Sequence, residues 1–254
     1  MRRIVAVCVG LLGATVSVAL AQEQGRGPLS PFPTVQDKQQ SGRQLPYKGG
    51  IKAIERLTER WSAVEADATD GLMLMSTNGR FVMKGEVIDT WTGRRLKSVN
   101  DIRDALNHLD LERLRLKVSD LGPLTFGRGS KRVTVWVDPT DDTSQDLLRQ
   151  LRALEERFTF DLLVVPLHGG SEALELTRVL SCAKDTKGAV DALLRGDMQP
   201  ALDEDPRCDR GAIQRRFIAT ELLTVTAAPF SIAPDGRVLR GLNSDYAAWL
   251  EGRS

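Results

Sequence analysis

The chain holds three cysteines and two histidines in 254 residues, and its net charge is only +1. Each scarcity excludes something. Cys8, Cys182 and Cys208 are far apart, so no C-x-x-C pair exists. No further Cys or His lies near Cys182 or Cys208 to complete a metal site, and no metal or cofactor is expected. The balanced charge gives no electrostatic reason to bind nucleic acid or an anionic membrane. Beyond the first 20 residues no apolar run is long enough to span a bilayer, so no stable membrane insertion is expected. Internal repeats are absent. The stretch FGRGSK lacks the Gly-Lys-Ser/Thr order of a phosphate loop and is expected to be a linker.

What is present begins with a leader. Arg2 and Arg3 precede an uncharged apolar stretch from Ile4 to Leu20, and Ala19-Leu20-Ala21 fits an A-x-A cleavage pattern. A membrane anchor is the alternative, but about 17 residues is short for a span. The expectation is a signal peptide over residues 1–21, cleaved after Ala21, and a periplasmic protein. Cys8 would leave with the leader. Against 34 acidic residues, loss of two of the 35 basic ones leaves a mature charge of about −1. An exported chain with an even cysteine count favours a disulfide between Cys182 and Cys208 over two buried thiols or a metal pair. Loop entropy would make it worth on the order of 3–4 kcal/mol.

Residues 22–48, rich in Gln, Gly, Pro and Ser, suit a flexible lead-in. Ile51, Ile54, Leu57, Trp61 and Val64 fall at helical spacing and predict a short amphipathic helix. GLMLMS and RFVMKGEVID flank Asn78-Gly79, a two-residue hairpin signal, and a turn at Thr92-Gly93 ends that sheet region. Residues 100–114 carry Ile102, Ala105, Leu106, Leu109 and Leu114 on one helical face. Pro and Gly in DLGPLTFGRGSK then mark a domain junction.

The remainder alternates. RVTVWVD is a buried strand, and residues 142–157 form a helix with Leu147, Leu148, Leu151, Leu154 and Phe158 on its apolar face. FTFDLLVVPL is a second buried strand. Helical segments around 171–195 and 211–223 follow, then VTAAPFSIA and RVLRG as a hairpin across PDG, and SDYAAWLEG as a closing helix. A β-α-β unit implies a parallel pair with a right-handed crossover. With β-β-α at the end, the order is that of a thioredoxin-like fold with a helical insertion.

Four segments carry a resemblance. GLMLMSTNGRFVMKGEVIDTWTGRRL resembles the N-terminal dimerisation domain of the DsbC and DsbG periplasmic disulfide isomerases, including those found with conjugative elements. VTVWVDPTDDTSQDLLRQL resembles their active-site strand and helix. SCAKDTKGAVDALLRGD resembles the segment that opens at the first cysteine of their structural disulfide, and CDRGAIQRRFIATELLTVTAAPFSIAPDGRVLRG the stretch from its second cysteine through the cis-proline loop. The resemblance implies a small cystatin-like dimerisation domain at 49–107, a linker helix and loop at 108–130, and a thioredoxin-like domain at 131–254. It implies a homodimer formed through the N-terminal domain, unfolded or client proteins as partners, and a possible place in a secretion or conjugation apparatus. It also implies a structural Cys182–Cys208 bridge and a cis peptide at Ala228-Pro229, where a client peptide would pair with the backbone.

The family's C-x-x-C is replaced by Asp141, Asp142, Thr143 and Ser144. Thiol–disulfide exchange needs an attacking thiolate and a resolving thiol. Asp141 stands for the first and Ser144 for the second, and neither can form the sulfur bond. Asp141 and Asp142 suit helix capping instead. The expectation is a non-catalytic chaperone or scaffold. The alternative is a thiol:disulfide isomerase or reductase acting through Cys182 and Cys208, or with an active partner.

Overall fold

The structure, a computed structural model, describes residues 50–67 and 71–253. The leader, its cleavage position and the lead-in lie outside the described residues. The described chain opens with two antiparallel strands, β1 (Ile51–Arg56) and β2 (Trp61–Ala66). This corrects the helix expected there. Ile51, Ala53 and Glu55 are half-buried while Lys52, Ile54 and Arg56 are exposed. That period of two is masked by the mixed chemistry of the buried set. Thr58 makes the turn: its Oγ1 accepts from the N–H of Arg60 (3.2 Å) and of Trp61 (3.1 Å).

β3 (Leu72–Ser76) and β4 (Val82–Lys84) complete an antiparallel sheet in the order β1-β2-β3-β4. Their connection is a four-residue loop rather than a two-residue turn. The Ser76 N–H reaches across it to the Phe81 carbonyl (2.9 Å), and within it Gly79 takes the positive φ of 65°. The expected single return strand is two strands. β5 (Val87–Asp89) leaves the sheet to pair with β6 (Arg94–Leu96), so the Thr92-Gly93 turn closes a hairpin.

α1 (Val99–Asn107) starts at a capping box: Ser98 Oγ accepts from the Asp101 N–H (3.1 Å), and Asp101 Oδ2 from the Ser98 N–H (3.0 Å). The Lys97 N–H does most to hold the Asp101 carboxyl below the usual carboxylate range. Val99 and Ile102 pack on Ala63, Leu72 and Leu96. The helix ends seven residues before Leu114. The Leu109 N–H bonds the Gly236 carbonyl (2.8 Å), and Leu109 enters the core of the second sheet.

That sheet has five strands: β7 (Leu124–Gly127), β8 (Lys131–Val137), β9 (Phe158–Val164), β10 (Phe230–Ile232) and β11 (Val238–Arg240). Their order is β11-β10-β8-β9-β7, with β8 and β9 parallel and every other neighbour antiparallel. β7 falls in the stretch expected to be linker. Gly127 and Gly129 allow it to lie against the start of β9: a Cβ at Gly127 would meet the Phe158 carbonyl at 2.3 Å and one at Gly129 the Arg157 backbone at 2.0 Å.

α2 (Asp142–Arg152) crosses from β8 to β9. Phe158, assigned to its apolar face from the sequence, is instead the first residue of β9. α3 (Gly170–Ser181), α4 (Thr186–Arg195) and α5 (Arg210–Leu222) fill the insertion, and α6 (Tyr246–Leu250) closes the chain. Strand order and connections make this region thioredoxin-like.

Alternation divides the sheet's two faces. Val133, Val135, Val137, Phe160, Leu162 and Val164 meet α2, α3, α4 and α6, while Trp136 and Leu163 meet α5, β10 and β11 residues. Burial of each such side chain contributes about 1.5–3 kcal/mol. On the second face, α5 is pinned by Arg216. Its Nε donates to the Leu121 carbonyl (2.9 Å), its Nη1 to the Val164 carbonyl (2.7 Å) and Ser181 Oγ (3.1 Å), and its Nη2 to the Gly122 carbonyl. Burial pushes this guanidinium down to about 10.

Candidate functional site

Parallel strands end on the same sheet edge, and their exits are where such folds place a site. β8 ends at Val137 and β9 at Val164, which are register partners. The chain leaves through Asp138–Asp141 into α2 and through Val165–Gly169 into α3. Asp138, fully buried, laces the two exits. Its Oδ2 accepts from the His168 N–H (2.7 Å), and its Oδ1 from the N–H (2.9 Å) and Oγ1 (2.7 Å) of Thr140. Gly169 is needed there, because a Cβ would lie 2.5 Å from Thr140 Oγ1.

The four residues standing for the exchange motif lie on this edge. Asp141 is the N-cap of α2, and its Oδ2 accepts from the Ser144 N–H at 2.7 Å. Asp142 is the first helical residue; it is exposed and adds negative charge where the helix dipole favours it, without a cap hydrogen bond. Thr143 is half-exposed. Ser144 is fully buried, and its Oγ accepts from the Asp138 N–H at 3.2 Å. The carboxylate and the hydroxyl nearest the helix terminus are therefore engaged in holding the turn.

The cis peptide Ala228-Pro229 reaches the same edge. β10 runs antiparallel to β8 with Phe230 opposite Trp136, so the preceding residues pass beside Val137 and Asp138. Pro229 is buried and its carbonyl accepts from the Gly241 N–H (2.8 Å), while Ala228 is half-exposed. Just upstream, Ile218 is 68% exposed on α5 and Leu222, four residues on, is also exposed. Both lie towards the C-terminal end of the helix from which the chain runs on to Ala228.

Cys182 and Cys208 are joined, with Cα atoms 5.1 Å apart. The bridge is not at this edge. Cys182 caps the C-terminus of α3, whose 12 residues carry the chain away by about 18 Å. Cys182 is buried and Cys208 half-exposed. Among the described residues no group of three His, Cys, Asp or Glu side chains is placed to hold a metal ion.

The solved structures similar to this chain are thiol–disulfide exchange proteins. One is a disulfide interchange protein from Neisseria gonorrhoeae, 16% identical, covering 54% of this chain and 98% of its own, with a TM-score of 0.44. Another is the thiol-disulfide exchange protein alpha-DsbA2 from Wolbachia pipientis, 11% identical, covering 61% and 97%, with a TM-score of 0.46. A third is Helicobacter pylori DsbG, 14% identical, covering 79% and 97%, with a TM-score of 0.35. No family model and no curated protein sequence matches. The thioredoxin-like assignment stands on strand order and register.

The role of Asp138 at this edge was not disclosed by the sequence, nor was the exposure of Ile218 and Leu222 on α5. Asp138 follows a strand in Asp-Pro-Thr-Asp-Asp, where three aspartates look alike. Only the contact with His168, 30 residues away, separates its role from the others. Ile218 and Leu222 carry an i, i+4 signal, but that spacing reads as core. Among the described residues no helix is long and apolar enough to cross a membrane.

Proposed function

We propose that this is an exported client-binding protein that uses a thioredoxin-like edge without thiol chemistry. One observation carries the reading. Where exchange needs a thiolate, the Asp141 carboxylate caps α2, and where it needs a resolving thiol, the Ser144 hydroxyl is buried against Asp138. What remains is surface: the half-exposed Ala228 at the edge, and the exposed Ile218 and Leu222 on the helix that precedes it in the chain. An extended unfolded segment needs such a backbone and such apolar contacts, not sulfur. Export follows from the leader pattern of Arg2 to Ala21. Pairing of two copies through the four-stranded sheet would set two such edges on one cleft, suiting a periplasmic chaperone or a scaffold in a secretion or conjugation apparatus.

The test uses the leader-free chain in two assays. It should suppress aggregation of a reduced, unfolding client at near-equimolar ratio and fail to reactivate a scrambled disulfide substrate. Reactivation that disappears on Cys182→Ala would overturn the reading.

A second reading is supported by Cys208. It is half-exposed, so an external thiolate has a path to the bridge. Exchange through Cys182–Cys208, alone or with an active partner, would show as ready reduction under mild thiol. A bridge that resists reduction until the chain unfolds leaves the first reading in place.

A further inference from the structure

A different concavity lies away from that edge. β5, β6, α1 and the turn after α1 enclose a cavity of about 210 Å³. Leu57, Leu96, Ile102, Ala105, Leu106 and Leu114 form its wall. Trp91 stands beside it, 40% exposed. Arg113 also lines it, and its Nη2 donates to the Thr92 carbonyl, tying the turn to the β5–β6 hairpin. An aliphatic cavity of roughly 150 Å³ accepts a benzene ring. This one has room for a phenyl or indole ring.

The cavity adjoins a wider cleft of about 590 Å³, and His108 and Asp110 line both. Charge in that cleft is lopsided. Asp235 is paired with Arg237 (2.7 Å), and Arg132 is paired with the buried Asp161. Asp89 is engaged in its own turn, accepting from the Trp91 N–H (3.0 Å). Asp110 accepts only the Arg113 N–H (3.0 Å), and Asp104 and Glu112 are exposed with no ion-pair partner among the described residues. Among the described residues lining the cleft, Arg94 is the cation without an ion pair, against these three carboxylates.

We infer that the two cavities form a subsite for an extended peptide bearing an aromatic side chain and, two residues on, a basic one. Spacing of two puts both side chains on one side of an extended chain. The ring fills the apolar cavity and the cation sits among Asp104, Asp110 and Glu112. This deepens the client-binding reading and rests on it for the source of the peptide.

The probe is the blocked pentapeptide Gly-Phe-Gly-Arg-Gly, titrated into the leader-free chain by calorimetry, with the Trp91 indole N–H followed by NMR. Replacing Phe by Ala in the peptide should weaken binding at least about tenfold. Replacing Arg by Gln should weaken it about threefold at low salt. Ala105→Phe, which fills the cavity, should abolish binding and the Trp91 shift. The double variant Asp104→Asn with Glu112→Gln alters exposed, unpaired groups and keeps the fold. With Asp110 left in place, it should reduce the preference for Arg over Gln while leaving the preference for Phe over Ala. If Ala105→Phe does not fold, the double variant and the peptide series decide alone. Equal affinity for the Phe and Ala peptides, binding to folded Ala105→Phe, or a double variant whose preference for Arg is undiminished would each overturn the inference. Aggregation suppression separates the two ideas: retained suppression without pentapeptide binding refutes the subsite alone, and pentapeptide binding without suppression refutes the chaperone reading alone.

Discussion

The two sheets of this chain solve the same burial problem to different degrees. β8 and β9 lie at the middle of five strands with helices or further chain on both faces, and all seven residues of β9 are buried. The four-stranded sheet packs one small cluster beneath α1 and leaves its β4 margin bare: Phe81 is 55% and Met83 47% exposed. Single exposed apolar side chains are ordinary on a monomer, but Met83 on a short edge strand and Phe81 immediately before it leave an aggregation-prone margin unless something covers it. The difference teaches that burial is concentrated in the second sheet, and that the first leaves apolar side chains in the open at one margin.

Core truncation should divide the two sheets most sharply. Leu162 is fully buried at the centre of the larger cluster, where little can relax into the space it leaves. Leu162→Ala should remove about 2–5 kcal/mol from the unfolding transition followed through the environment of Trp136. Ile102→Ala, in the small cluster under α1, should fall at the low end of that range and act on the transition reported by Trp61. Urea unfolding with the indole N–H signals of Trp61 and Trp136 followed separately by NMR gives the two readouts. If each truncation moves both by the same amount, the sheets are one cooperative unit and the contrast is false.

The bare margin supplies the next largest effect. Phe81→Lys with Met83→Lys puts one charge on β4 and one at its start without replacing a buried residue. If a second copy covers this strand, self-association should weaken on the order of a hundredfold, while the urea midpoint of the five-stranded sheet stays in place. Sedimentation across a concentration series measures it. An unchanged association constant, or a native chain that is monomeric throughout, removes the argument that β4 meets its own copy.

The same contrast governs what could be read without coordinates. β8 and β9 were legible because strands buried on both faces need unbroken apolar runs, and RVTVWVD and FTFDLLVV provide them. The cap at Asp141 was legible because short carboxylates begin helices for a local reason. β1 and β2 were not. Ile51, Ile54, Leu57, Trp61 and Val64 imitate helical spacing, while the residues that alternate inward in β1 include Ala53 and Glu55, which carry no apolar signal. β7 was lost among glycines that signal a break, when their absent side chains are what let the strand lie against Phe158. Asp138 was lost because its burial depends on a loop that arrives from the other parallel strand.

The smallest effect bears on the site itself. If Asp141 is a cap, Asp141→Ala orphans the Ser144 N–H and should cost about 1 kcal/mol, visible as a lower urea midpoint at unchanged slope. Asp141→Asn keeps an acceptor oxygen and loses only the interaction of charge with the helix dipole, so it should cost a few tenths of a kcal/mol. Neither should change aggregation suppression if the proposed surface at Ala228, Ile218 and Leu222 is what binds a client, because neither substitution alters it. The opposite pattern, a stable Asp141→Ala protein that no longer protects its client, would mean that the carboxylate touches the client rather than the helix. The edge would then be an active site of another kind, and the contrast between a stable scaffold and a separate binding surface would have to be redrawn around Asp141.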